Sequence, residues 1–82
     1  MIKVYGSSYC PDTQAALKKL DEIKAEYEFI DATGSVEGLK AFVELRENTP
    51  EIYDAVRARG GVGIPCFVTS CGQKSLDLAE VL

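Results

Sequence analysis

The sequence predicts an α/β fold, a four-stranded mixed β-sheet with helices on both faces. Three observations predict it. A short apolar run, Ile2-Lys3-Val4-Tyr5-Gly6, leads after Pro11 into apolar residues at helical spacing, and then into a second compact pair, Phe29-Ile30. Strand, helix and strand within about thirty residues make a right-handed parallel βαβ unit. In the second half, Ile64-Pro65-Cys66-Phe67-Val68 is apolar, β-branched and aromatic, and the next residues, Thr69-Ser70-Cys71-Gly72-Gln73, have hairpin-turn composition.

Each element has its own reason. Residues 2–5 read as a buried strand. After Pro11, Ala16, Leu17, Leu20, Ile23 and Tyr27 recur at helical spacing, with Lys18, Lys19, Asp21 and Glu22 between them, which predicts a helix of about four turns. The second strand runs from Tyr27 to Asp31 and stops at Asp31-Ala32-Thr33-Gly34. Ser35 can cap a second helix with Val36, Leu39, Phe42 and Val43 inward, weakened slightly by Gly38. Thr49-Pro50 has the composition of a cap followed by proline at the first helical position. A third helix then presents Ile52, Ala55, Val56 and Arg59, and Gly60-Gly61 ends it. The glycines through Gly63 follow a helix and lack the Lys-Ser/Thr of a phosphate loop. A third strand from Ile64 to Val68 can begin with Pro65, because a first strand residue needs no ladder N–H. A fourth strand returns over Lys74 to Leu76, and Asp77 with Glu80 forms an acid–acid capping box for a last helix of under two turns.

At 82 residues the chain has room for a single domain, residues 1–82. Its net charge of -4, with no basic cluster, argues against nucleic acid as a partner. No apolar run approaches the roughly 20 residues of a membrane span, and the first residues enter a strand directly, without a secretory leader pattern. Three cysteines is an odd number, unlike a disulfide-stapled scaffold, so the expected compartment is the reducing cytoplasm. Histidine is absent, which removes the commonest general base and metal ligand.

The chemistry concentrates in Ser8-Tyr9-Cys10-Pro11-Asp12-Thr13. Cys10 falls at the N-cap or the last loop position, and Pro11 at the first helical position, where its missing N–H costs nothing. Free N–H groups and the positive end of the helix dipole then face the sulfur and favour thiolate, which makes Cys10 a candidate nucleophile. Asp12 opposes that effect, and the Thr13 hydroxyl can donate a hydrogen bond to the thiolate.

This element order, with Tyr9-Cys10-Pro11-Asp12-Thr13 at the first helix and Gly63-Ile64-Pro65 in the second half, resembles the thioredoxin fold in its small glutaredoxin form. The resemblance covers nearly the whole chain. It implies that Cys10 is the catalytic thiol, flanked by Pro11 and Thr13, and that Pro65 is a cis-proline abutting it. It further implies that the main chain of Ile64 pairs with the cysteinyl part of glutathione, with Tyr9 and Asp77 as further substrate-binding residues. Several positions depart from the family pattern. Thr13 stands where dithiol members have a second cysteine, Asp12 where the residue is often aromatic, and Ser7 where many members have Lys or Arg. The Cys-Gly-Phe-Ser of the iron–sulfur-carrying monothiol members is absent. The expectation is therefore no resident cofactor or metal, glutathione or a protein disulfide as the partner, and a monomer or weak dimer.

Two readings of Cys66 stay open at this point, a buried core cysteine or a resolving thiol for Cys10. Cys71 in the hairpin turn is expected to be exposed and incidental. Arg57 and Arg59 are candidates for a carboxylate contact. Two functions follow: a monothiol thiol–disulfide oxidoreductase exchanging glutathione or protein mixed disulfides through Cys10, or a redox-inert thioredoxin-fold adaptor that binds a peptide in the cis-proline groove.

Overall fold

Side-chain alternation along two central strands divides the molecule into two layers of helix around one sheet. In the computed structural model, which covers Met1–Leu82, β1 (Ile2–Gly6) pairs parallel with β2 (Tyr27–Asp31) and antiparallel with β3 (Cys66–Val68). The latter pairs antiparallel with β4 (Lys74–Ser75), so the strand order is β2-β1-β3-β4. The register sets Val4 beside Phe29 and Phe67, and Tyr5 beside Ile30 and Cys66. Successive side chains point to opposite faces. Val4 and Phe67 accordingly pack with Ala16 and Leu20 of α1 (Pro11–Glu22), and Cys66 packs with residues of α2 (Val36–Glu47) and α3 (Pro50–Ala58). Leu78 and Val81 close the α1 side.

The expected four-turn helix is shorter, roughly three turns. Lys24 adopts φ 56, and the Ala25 N–H reaches back to the Leu20 carbonyl at 3.0 Å, a left-handed helix stop made without glycine. Ile23 is left half in solvent, and Tyr27 belongs to β2 rather than to the helix.

The inward faces of the next two helices also differ from those expected. In α2, Gly38, Phe42 and Leu45 are buried, and Val36, Leu39 and Val43 are exposed. The missing side chain of Gly38 explains the rotation, because a Cβ there would drive into the Asp31 carbonyl oxygen of β2. What weakens the isolated helix is what lets it lie against the sheet. Ser35 caps α2 as expected, accepting the Gly38 N–H at 2.9 Å. In α3, Tyr53 and Val56 are buried, Ile52 is half-buried, and Ala55 and Arg59 face out. Thr49 precedes this helix without capping it through its side chain; its hydroxyl instead accepts from Lys74 Nζ at 3.3 Å.

Three further boundaries shift, the fourth strand among them, which ends at Ser75 and leaves Leu76 outside it. The third strand begins at Cys66 and not at Ile64, since Pro65 has no N–H for the ladder. The last element is a single 3₁₀ turn, Leu78–Glu80. Asp77 caps it by accepting the Ala79 N–H at 3.0 Å, but the reciprocal half of a capping box is absent. The Glu80 carboxylate takes the Ser75 hydroxyl instead, and the Asp77 N–H goes to Ser75 Oγ at 3.0 Å. No helix is long and apolar enough to cross a membrane.

Candidate active site

Cys10 is the N-cap of α1, in an extended conformation, with Pro11 occupying the first helical position. Its sulfur closes no capping hydrogen bond of ordinary length, and the residue is half-buried. The thiol is nevertheless held below the usual cysteine range. The backbone N–H of Thr13 is the largest cause and its hydroxyl the second. Partial burial works the other way, and the Asp12 carboxylate opposes the thiolate only weakly by comparison. Thr13, three residues after the thiol, thus acts on it through both its main chain and its side chain.

Thr13 is fully buried, and its Oγ1 accepts the Ser7 N–H at 3.3 Å, which leaves the hydroxyl proton free to face the Cys10 sulfur. Its side chain lies against the main chain of Gly6, where a Cβ would stand 2.6 Å from Oγ1. The end of β1 and the first turn of α1 are therefore in direct contact beneath the thiol.

The loop between them is tied down by a chain of hydroxyls. The Tyr9 N–H donates to Ser7 Oγ at 3.1 Å, Ser7 Oγ and Thr33 Oγ1 are 2.8 Å apart, and Thr33 Oγ1 donates to Asp31 Oδ1 at 2.8 Å. Since the Thr33 proton is committed to Asp31, the Ser7 hydroxyl is the donor to Thr33. The chain ends on a carboxylate held below its usual range by the Thr33 hydroxyl and then by the Thr33 N–H. The Ser7 carbonyl accepts the Cys10 N–H at 3.0 Å, completing the turn that presents the sulfur.

Opposite, the Ile64-Pro65 peptide is cis. The loop before it is fastened by two groups that the sequence did not single out. Tyr53 Oη donates to the Gly63 carbonyl at 2.7 Å, and Arg46 Nη2 donates to the Gly61 carbonyl at 2.9 Å. Gly63 has φ +84, and a Cβ there would overlap the Tyr53 ring, so only glycine meets both demands. The only sequence signal that could have found the Tyr53 contact is that a tyrosine hydroxyl needs a partner when the ring is buried.

Between α1 and this loop lies a groove of ≈ 310 Å³ lined by Asp12, Ala16, Ile64, Pro65, Phe67, Leu76, Asp77 and Leu78. It brings together Ile64, Pro65 and Asp77 of the residues singled out from the sequence. Cys10 and Tyr9 are not part of its lining; the lining begins two residues past the thiol, and Tyr9 stands out in solvent. The main chain of Ile64 bonds to no other main-chain group. Arg57 and Arg59 lie elsewhere: Arg57 is 3.8 Å from Asp54 and lines a separate cavity with Val43, Arg46 and Glu47, and Arg59 is exposed.

The three cysteines are free and far apart in environment. Cys66 sits in the α2–α3 core, on the sheet face opposite α1, where burial pushes its thiol up despite the neighbouring Tyr53 hydroxyl. Cys71 is exposed, its Sγ 3.1 Å from Thr69 Oγ1. That hydrogen bond lowers the Cys71 thiol as well.

Fold and site together define the class: an α/β domain with a mixed four-stranded sheet and a half-exposed thiol at a helix N-terminus beside a groove. The chain is 33% identical over 78 residues to an uncharacterized protein of Haemophilus influenzae, covering 95% of this chain and 90% of that one. It belongs to the same family as that protein. No protein-family model matches the sequence, and no solved structure matches the chain.

Proposed function

We propose that the protein is a glutaredoxin-like monothiol oxidoreductase of the thioredoxin fold, exchanging glutathione or protein mixed disulfides through Cys10 in a reducing cytoplasm. The observation that carries the reading is the Cys10 sulfur, half-exposed at the α1 N-terminus and biased toward thiolate by the N–H and hydroxyl of Thr13. Thiol–disulfide exchange needs a thiolate and an approach path, and the groove beside α1 offers a path. The strand order, with a parallel first pair followed by an antiparallel hairpin, supports the thioredoxin-like assignment. So does the division of helices, α1 on one face and α2 with α3 on the other. With Thr13 in place of a second cysteine, the mixed disulfide on Cys10 must be resolved by a thiol from outside. Cys66 is a poor resolving thiol because it is buried on the other side of the sheet.

The test is incubation with 2-hydroxyethyl disulfide followed by intact-mass analysis and peptide mapping. Cys10 gains one mercaptoethanol adduct, and Cys10→Ser abolishes it. Modification of Cys71 alone, with Cys10 untouched, would sink the oxidoreductase reading. That outcome leaves the redox-inert adaptor, which draws its support from the unpaired Ile64 main chain in the groove.

A further inference from the structure

The groove has a charge that disulfide exchange does not itself require. Six of its eight lining residues are apolar, and the other two are Asp12, in the first turn of α1, and Asp77, at the start of the last turn. No lysine or arginine lines it. Asp77 spends one oxygen on the Ala79 N–H at 3.0 Å and keeps acceptor positions for another donor. An anionic substrate, such as glutathione, meets two carboxylates and no counter-charge there, whereas a cation finds partners at both walls.

We propose, resting on the exchange reading above, that the substrate is a polypeptide disulfide whose cysteine is flanked by Lys or Arg, with Asp12 and Asp77 receiving the flanking cations. The Ile64 N–H and C=O, free of other main-chain partners, suit an extended segment rather than a small thiol. Asp12 is also the one charge that works against the Cys10 thiolate. A cation paired with that carboxylate relieves this weak opposition as it binds. In the step itself the Cys10 sulfur attacks one sulfur of the substrate disulfide. The Cys10–substrate S–S bond forms, the original S–S bond breaks, and the departing thiolate leaves with the electron pair and takes a proton from water. The disulfide is the oxidant, and a second thiol from solution later returns Cys10 to its reduced form.

The experiment uses blocked tripeptides with a central cysteine, as homodisulfides, flanked by two lysines, two glutamines or two glutamates. Rates of Cys10 modification are read by intact mass on the Cys71→Ser chain. The readout is the lysine-to-glutamate rate ratio divided by the same ratio in the Asp12→Asn/Asp77→Asn double variant, which cancels the intrinsic preference of thiolates for cationic disulfides. The expected quotient is about tenfold at low salt, from two exposed charge pairings of a few-fold each. It falls toward one at 1 M salt, where screening acts within about 3 Å. A quotient of one at low salt, with Cys10 reacting, overturns the charge selection and leaves exchange standing. Failure of Cys10 to react with any peptide, the neutral one included, overturns exchange itself.

Discussion

Thr13→Val isolates the residue on which the Cys10 chemistry depends. Valine keeps nearly the shape that packs on Gly6 and puts a methyl in place of the hydroxyl, which serves two groups at once. On one side, the Ser7 N–H loses its acceptor in a buried position. An unsatisfied buried donor costs about 1–3 kcal/mol, and the 3.3 Å length of this bond sets the loss at the lower end, about 1 kcal/mol. For a domain of this size that lowers Tm by roughly 4–8 °C. On the other side, the thiolate loses its second-strongest support and keeps the strongest, the Thr13 N–H, so the Cys10 pKa rises without returning to the ordinary thiol range. The assay is the pH dependence of iodoacetamide alkylation in a Cys71→Ser background, because Cys71 is exposed and its own thiol is lowered. Thermal unfolding in the same buffer gives Tm. A lower Tm with an unchanged alkylation midpoint refutes the electrostatic role of the hydroxyl and leaves a structural one. An unchanged Tm refutes the satisfied-donor argument as well.

Two further outcomes follow from the packing. In Gly38→Ala, the helix-propensity gain of about 1 kcal/mol is outweighed by an overlap with the backbone oxygen of Asp31 that cannot swing away; such overpacking costs about 1–3 kcal/mol. Urea unfolding should show a net loss of about 1 kcal/mol, the middle of that difference, and equal or greater stability removes the account of how α2 is oriented. For Cys66, burial raises the folded-state pKa, so the unfolded chain releases this proton first as pH passes the ordinary value of about 8.5. The thiol's contribution is complete below that pH and declines above it. The stability gap between the native chain and Cys66→Ala should therefore narrow between pH 8 and pH 10; a constant gap contradicts the burial of the thiol.

What the sequence disclosed was whatever short-range chemistry decides. Cys10-Pro11 could be placed at a helix start because the lack of a proline N–H and the fixed φ act within one turn. The hairpin around Gly72 and the Ser35 cap are local in the same sense. The end of α1 was hidden, because the left-handed stop falls on Lys24, a residue that pays about 1 kcal/mol to adopt it and carries no sequence mark. The inward face of α2 was ambiguous for another reason. Val36, Leu39 and Val43 form one stripe at helical spacing, and Phe42 with Leu45 another, so periodicity alone cannot choose between them. The choice is made by Gly38 against a strand carbonyl, a contact between elements. The roles of Tyr53 and Arg46 were out of reach for the same reason, since their partners are main-chain carbonyls in a loop ten and fifteen residues on.

Ser7 is the position where those long-range contacts bear most on function. Three residues before the thiol, it stands where the glutaredoxin resemblance would lead one to expect Lys or Arg, and the sequence alone suggests only a missing contact. In the folded chain its side chain is buried, with the hydroxyl accepting from the Tyr9 N–H and donating to Thr33, twenty-six residues away. That relay runs in one direction, from the loop amide to the Asp31 carboxylate, and every proton in it is committed. A lysine or arginine at position 7 must either bury its charge or break the relay and release the loop that presents Cys10. The geometry of the thiol loop and the absence of a cation beside it therefore have one cause. Asp12 and Asp77 are the only charged side chains that line the adjoining groove, and Ser7 itself is not part of that lining.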